Sequence, residues 1–451
     1  MEIKTQLSRL GLFDARVPRY TSYPTATHFK TDIGSGHYLD WVGQLTPDTP
    51  VSIYLHVPFC RRLCWFCACR TQGTSTMAPV RAYLDTLLTE VAMLRDALPQ
   101  GVKIARIHWG GGTPTLLAPD MMHELAAAVR TLAELNDDVE FSVEIDPNEI
   151  DEARLDALAA EGMNRASIGV QDFDPEIQEV IGRSQTFEIT AQAVEALRAR
   201  AIHSLNADIL YGLPGQTSAK MTDSVQKLLS LSPDRVALYG YAHVPWMARR
   251  QTMIPADRLP GAEERLKLFE TARRLFLWDG YSEIGIDHFA KTGDGLDIAQ
   301  RTGHLRRNFQ GYVDDKAPVL IGLGASAISR FPGGFAQNAS STAAHTKANH
   351  AGEFSTARGH AFQGEDLMRS RLIEALMCDF SINSDEIIEG FGTTRAKLDR
   401  MYRQAAEAFP EMVRITPEGM EIVQQGRPLT RMIARIFDTY EMSEKSHSAA
   451  I

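Results

Sequence analysis

Between residues 51 and about 290, short β-branched or aromatic runs alternate with longer amphipathic stretches, and this alternation constrains the fold more than any other feature. Val51–Val57, Val102–Trp109, Val139–Ile145, Asn164–Val170, His203–Leu210 and Arg235–His243 read as strands. The stretches between them, such as Ala82–Ala97 and Glu188–Ala199, carry helical periodicity. Asp174-Pro175 and Thr217-Ser218 read as helix starts, the first because Pro is preorganised for the opening helical position. Strand–helix alternation implies right-handed βαβ units and a parallel sheet. Six units in succession predict an α/β fold, a partial (β/α)6 barrel. Tyr281–Ile286 and Pro318–Leu323 are expected as two further strands.

The rest of the 451 residues divides around that barrel. Residues 1–40 are expected as an N-terminal arm folded over the barrel mouth, and residues 41–330 as the barrel with its extension. The segment 331–360, rich in Gly, Ser, Ala and Asn, reads as a boundary. Residues 361–440 read as a mainly helical domain with a hairpin at Met412–Ile422, and 441–451 as a disordered tail. Helices with a hairpin suggest a winged-helix module. Residues 361–451 hold 11 Lys/Arg against 15 Asp/Glu, however, and the whole chain carries −10. Both balances argue against nucleic acid, which needs a cationic excess, so the module reads as a structural support. No apolar stretch is long enough to span a bilayer and Met1–Gln6 has no apolar leader core, so a cytoplasmic protein is expected.

Four of the five cysteines fall within ten residues, as Cys60-Arg-Arg-Leu-Cys64-Trp-Phe-Cys67-Ala-Cys69, directly after the first strand. Such density in a long, Cys-poor chain points to metal or redox chemistry rather than disulfides. The C-x3-C-x2-C spacing brings three thiolates around one small loop, which suits an iron–sulfur cluster with one iron left open for substrate chemistry. The alternative is a zinc knuckle using all four cysteines, although structural zinc sites usually join two separated pairs. Cys378, within the apolar run Leu372–Met377, reads as a core residue.

The same spacing, with Phe66 before the third cysteine, resembles the radical S-adenosylmethionine superfamily. Pro18–Ala26 (PRYTSYPTA), His108–Thr115 (HWGGGTPT), Gly169–Phe173 (GVQDF), Asp208–Pro214 (DILYGLP), Asn308–Tyr312 (NFQGY) and Phe437–Tyr440 (FDTY) together resemble the oxygen-independent coproporphyrinogen III oxidase family. The matches run from about Arg19 to Tyr440. The resemblance implies a radical S-adenosylmethionine barrel whose [4Fe-4S] cluster is held by Cys60, Cys64 and Cys67, with two S-adenosylmethionine molecules. It implies that a 5′-deoxyadenosyl radical attacks two propionates of coproporphyrinogen III, which lose CO2 to become the vinyl groups of protoporphyrinogen IX.

By resemblance, Tyr54, Phe66, Gly111, Gly112, Thr113, Glu144, Gln171, Arg183, Asp208, Ala242 and Ile328 fall on S-adenosylmethionine-contact positions. Glu144, Gln171 and Asp208 are read at the ends of successive strands, where barrels gather their active sites. Gly110-Gly111-Gly112 allows close backbone approach to a cofactor, the competing reading being a tight strand-to-helix turn. The family pattern makes Cys69 a catalytic residue rather than a cluster ligand; the other reading is a loop thiol packed beside the cluster. Ala68 departs from the glycine common at that position. Four propionates call for cationic partners, Arg above all, with Arg19, Arg61, Arg62, Arg70, Arg306 and Arg307 as candidates. His56 and His108 read as satisfied core histidines.

A heme-binding chaperone or a radical methylase on the same barrel are the alternatives. Cys69 and the Pro18–Ala26 segment speak against the first; the two late motifs speak against the second. The expected partners are coproporphyrinogen III, an electron donor of flavodoxin-like type facing Arg61, Arg62 and Arg70, and an electron acceptor. Neither nucleic acid nor a membrane span is expected, and the chain is expected to act as a monomer.

Overall fold

The computed structural model describes residues 2–315, 317–441 and 450–451. Its centre is one twelve-stranded sheet. In chain order the strands are β1 (Pro50–Val57), β2 (Lys103–Gly111), β3 (Glu134–Ile145), β4 (Arg165–Gln171), β5 (Ser204–Tyr211), β6 (Arg235–Gly240), β7 (Tyr281–Ile284), β8 (His288–Lys291), β9 (Val319–Leu323), β10 (Ile328–Phe331), β11 (Gly334–Asn338) and β12 (Thr356–Ala361). β1 to β6 lie side by side in sequence order and pair in parallel. β9 adds a seventh parallel strand outside β1. β8 and β7 extend the β6 edge antiparallel, and β10 to β12 extend the other edge.

Helices covering the sheet explain why its strands are so apolar. Val51, Ile53, Leu55 and Val57 of β1, which share one face of the strand, are each at most 2% exposed beneath those helices. The helix Ala78–Ala97 follows β1 and buries Leu84, Leu87, Val91 and Leu94 in the same core. The helix starts anticipated from the sequence are present. Asp174 accepts from the backbone N–H of Glu176 and Ile177, and Thr217 caps the helix Ser218–Ser230. At the N-terminal side of the strands Arg106, Glu140, Arg165, Arg235 and Asp294 tie β2, β3, β4 and β6 through ion pairs (Arg106–Glu140 2.6 Å; Arg235–Asp294 2.6 Å). This network braces one rim of the barrel and leaves the other for chemistry.

Two expectations are corrected. The segment 331–360 is not a boundary: it forms β11, the helix Thr342–His350 and most of β12, all continuous with the main sheet. The sixth strand stops at Gly240, where the Gly240 and Tyr241 carbonyls accept from the Arg19 and Arg265 side chains (2.7 and 2.8 Å) instead of from a further strand.

Residues 366–422 make the anticipated helix-and-hairpin module. Helices Asp366–Asp379, Ser384–Phe391 and Arg395–Ala408 pack with a small sheet ordered Ser381–Asn383, Gly419–Ile422, Val413–Ile415. Leu7, Leu12, Val17, Tyr20 and Tyr23 of the arm share that module's hydrophobic core. Tyr20 donates to Asp438 (2.9 Å), and the Tyr23 hydroxyl meets that of Thr439 (3.2 Å). Most of the expected tail, residues 442–449, lies outside the described residues. Ala450 and Ile451 pack in the same core, with the Ala450 N–H donating to Ala15 (2.8 Å).

Candidate active site

The cysteine loop leaves the C-terminal end of β1 and is closed by a short parallel ladder, Phe59 opposite Gln72 and Cys60 opposite Gly73. Trp65 pins the loop's far side by donating its N–H to Ile181 (2.9 Å), and Gly182 lies against the indole where a Cβ would clash. Gln251 donates to the Phe66 carbonyl (2.7 Å), and Arg250 reaches the carbonyls of Cys69 and Thr71. Cys60, Cys64 and Cys67 are half-buried free thiols; Cys69 is exposed. Burial pushes the Cys60 thiol up to about 11. The hydrogen bond from Cys69 holds the Cys67 thiol down, and the same bond pushes Cys69 up. Arg183 Nη1 lies 3.6 Å from the Cys64 sulfur, a donor that stabilises a thiolate.

Cys60, Cys64 and Cys67, three half-buried free thiols on one loop, are the donor set that holds an iron–sulfur cluster. The donor chemistry and the loop therefore fit an iron–sulfur group.

The strand ends supply the rest. Glu144 accepts the Gly111 N–H (3.0 Å) and faces His108 Nε2 (3.4 Å). Burial would raise its pKa, but these bonds outweigh it and hold the carboxyl below its usual value. Gly110 to Gly112 owe their lack of side chains to packing. A Cβ on Gly111 would lie 2.5 Å from the His56 ring, and one on Gly112 2.5 Å from the Phe59 carbonyl. Thr113 follows, buried, its hydroxyl bonded to the Cys60 thiol. Tyr54 stacks on His108 (5.7 Å) and bonds His56 (3.0 Å). Gln171 closes β4 at a φ of 70°, a strained value for a side-chain-bearing residue and one that marks functional positions. Burial lifts Asp208 to about 7, against which works the hydrogen bond that Asn206 donates to it (2.9 Å).

These elements open on a cavity of about 1200 Å³. Phe66, Cys67, Cys69, Gln171, Asp208 and Ala242 line it, as do Arg19 and Arg307. Tyr54, Glu144, Gly111, Gly112, Thr113 and Arg183 are not among the residues that line it; of these, Thr113 and Arg183 touch the cysteine loop at Cys60 and Cys64. Ile328 opens β10, its carbonyl against Gly322, which pairs with Tyr54. Arg61, Arg62, Arg70 and Arg306 are not brought to the cavity: Arg61 turns to Glu149 (4.0 Å) and Arg306 to Glu374 (3.9 Å).

The Radical SAM superfamily model matches residues 54–228. Over all 451 residues the chain is 62% identical to an oxygen-independent coproporphyrinogen III oxidase of Paracoccus denitrificans, covering 100% of both chains. The chain belongs to the oxygen-independent coproporphyrinogen III oxidase family. It is also 35% identical to the Escherichia coli protein of that name, covering 97% of this chain and 96% of the relative. The solved structure of coproporphyrinogen III oxidase (HemN) from Escherichia coli, described as a radical SAM enzyme, superposes with a TM-score of 0.89 at 34% identity. It covers 95% of this chain and 100% of that one.

Several cavity residues of this oxidase-family chain escape a reading by motif. Arg265 and Arg431 come from helices outside the barrel strands, and Tyr241 follows β6. The available signal was indirect. Gly212 within Asp208–Pro214 has no side chain because Arg265 fills the space a Cβ would take.

Proposed function

We propose that this chain oxidatively decarboxylates two propionate side chains of coproporphyrinogen III to vinyl groups, yielding protoporphyrinogen IX without oxygen. The observation that carries this reading is a loop of three half-buried thiols at the C-terminal rim of the parallel strands, opening on a large cavity lined with arginines. Cys60, Cys64 and Cys67 hold a [4Fe-4S] cluster, and Tyr54, Phe66, Gly111, Gly112, Thr113, Glu144, Gln171, Arg183, Asp208, Ala242 and Ile328 surround S-adenosylmethionine, of which the site takes two molecules. When bound, cluster and cofactor would supply a carbon-centred radical that removes one hydrogen atom from the propionate β-carbon, and loss of CO2 then passes the second electron to a separate electron acceptor.

The chain's own side chains do the remaining work. Arg183 offers its guanidinium to the Cys64 thiolate and keeps that ligand charged. Glu144, held ionised, is a hydrogen-bond acceptor beside the glycine turn and suits the cofactor's amino group. Cys69, exposed beside the cavity, is poised to hand a proton or hydrogen atom to or from bound substrate. The chain is proposed to act as a monomer. Three free thiols needed as ligands suit a reducing compartment, the cytoplasm, and no helix among the described residues is long and apolar enough to cross a membrane.

The test is an anaerobic assay of cluster-reconstituted protein with S-adenosylmethionine, reductant and coproporphyrinogen III, read by product mass. Protoporphyrinogen with 5′-deoxyadenosine supports the reading; intact coproporphyrinogen alongside 5′-deoxyadenosine refutes it.

The electron donor is an acidic, flavodoxin-like protein docking on the exposed Arg62 and Arg70 beside the cysteine loop. A double charge reversal, Arg62→Glu with Arg70→Glu, is expected to slow reduction by such a donor by about tenfold, since steering charges act on association rate. Reduction by dithionite should not change. Equal slowing with both reductants would place the effect in the cluster and reject the docking surface.

A further inference from the structure

The turn that leaves β6 is held residue by residue. Arg19 donates to the Gly240 carbonyl (2.7 Å) and Arg265 to that of Tyr241 (2.8 Å), while the Tyr241 N–H donates to the Tyr211 carbonyl (2.8 Å). Gln251, 1% exposed, anchors the next stretch. Its Nε2 donates to the Ala242 carbonyl (3.0 Å), and its Oε1 accepts the Val244 N–H (2.6 Å). The same Nε2 donates to the Phe66 carbonyl (2.7 Å), so one buried side chain ties this turn to the cysteine loop.

Between those two anchors stands His243, which lines the cavity. Its backbone is fixed on both sides, and its ring is fixed as well, with Nδ1 2.9 Å from the Tyr241 hydroxyl. Among the described residues Nε2 has no hydrogen-bond partner. A phenol is a stronger acid than a neutral imidazole and so donates in this pair, which places the ring proton on Nε2. Burial keeps the Tyr241 phenol protonated and pushes the His243 pKa below its usual value, so the ring is neutral at neutral pH. His243 is thus an uncharged N–H donor held by two supporting side chains, on a turn bonded to the loop that carries Phe66 and Cys69.

Charge decides which carboxylate suits such a donor. Loss of CO2 turns a carboxylate into a neutral molecule, so a cation paired with it would stabilise the starting state more than the transition state. A neutral N–H orients the group with less of that penalty. Resting on the function proposed above, we propose that His243 Nε2–H holds the carboxylate of the reacting propionate of coproporphyrinogen III. Tyr241 and Gln251 are the positioning residues that orient the ring. In the step itself a hydrogen atom leaves the β-carbon and the bond to the carboxylate carbon breaks, releasing CO2. The two remaining carbons form the vinyl double bond, and one electron passes to the separate acceptor. His243 gains and loses no proton.

The test uses the full-length reconstituted enzyme with His243→Gln, His243→Asn, His243→Phe and Tyr241→Phe. Gln brings an amide nitrogen close to the position of Nε2, Asn close to that of Nδ1, and Phe to neither. In anaerobic fluorescence titrations His243→Asn and His243→Phe should bind coproporphyrin III about tenfold more weakly, the loss of one hydrogen bond to a charged acceptor. His243→Gln should recover most of that affinity. With the β-carbon less well placed, the Asn and Phe variants should also lose kcat and form about threefold more 5′-deoxyadenosine per vinyl group. Tyr241→Phe, which frees the ring to turn, should show the same uncoupling in smaller measure. Equal losses in His243→Gln and His243→Phe would reject a donor at Nε2. Weaker binding with 5′-deoxyadenosine still matched to vinyl groups would place His243 on a carboxylate that does not react and overturn the assignment. If the parent itself leaves coproporphyrinogen III intact, the functional reading fails first; a parent that turns it over, with His243 variants that match it, sinks this assignment alone.

Discussion

Replacing Cys60, Cys64 or Cys67 singly by Ser is expected to lower turnover by about three orders of magnitude or more, because the cofactor carries the difficult chemistry and the protein only places it. The loss should appear first as metal. Each variant should bind less iron and sulfide after reconstitution and show a weakened thiolate-to-iron absorbance band. The fold should survive, since all three thiols lie on a surface loop whose shape comes from the Phe59–Gln72 ladder and the Trp65–Ile181 bond. Two controls make the result specific. Cys378→Ala, in the core beside Leu296 and Tyr312, should keep its iron and its turnover. Cys69→Ser should keep its iron while product formation falls by about a hundredfold, as loss of a proton-handling group does. Iron lost to the same degree from Cys69→Ser would make it a fourth ligand and revive the zinc-like arrangement.

Asp208→Asn should remove a pH dependence of stability. The carboxyl titrates near 7 in the folded chain, against 3.8 as its ordinary value, because burial penalises its charge and Asn206 only partly compensates. Between pH 3.8 and about 7 the folded chain therefore holds a proton that the unfolded chain has released. The stabilisation from this group is complete below the lower value, falls as pH rises and is gone above the upper one. The full shift corresponds to about 4 kcal/mol, and water in the cavity reduces this to about 2 kcal/mol. The Asn variant, neutral throughout, should have a higher thermal midpoint than the parent at pH 8 and lose that advantage at pH 5. Parallel midpoint curves for the two proteins would show that Asp208 ionises normally. Its turnover should fall at every pH, since the same carboxylate faces the cavity beside Gln171 and Cys69.

Most of the barrel was legible because parallel strands buried on both faces must be continuous apolar runs, and the segments between them must be amphipathic. The ends of β1, β4 and β5 fell within a residue or two of expectation. The segment 331–360 was misread for a physical reason. Its small residues, which resembled a linker, permit close packing. A Cβ on Gly333 would lie 2.5 Å from the Trp41 indole, and one on Gly359 would lie 2.7 Å from Ile33, so the arm and the helix Ser35–Gly43 can lie directly on the edge strands. Composition records which side chains are small; it does not record what approaches them.

The same division runs through the site. The cysteine spacing is a local property: three thiols within eight residues must share one loop in almost any fold, so their chemistry could be read directly. Arg61, Arg62 and Arg70 were credible carboxylate partners by proximity in sequence, yet the loop turns them away from the cavity. Arg265, on a helix after the sixth strand, reaches the cavity because Gly212, just past β5, and Gly240, at the end of β6, leave room for its guanidinium. Sequence alone determined the repeating βα unit and the cluster-binding loop, because both depend on contacts between near neighbours in the chain. Only the tertiary structure decided which cations line the cavity, because closing the sheet brings together residues that are distant in the chain.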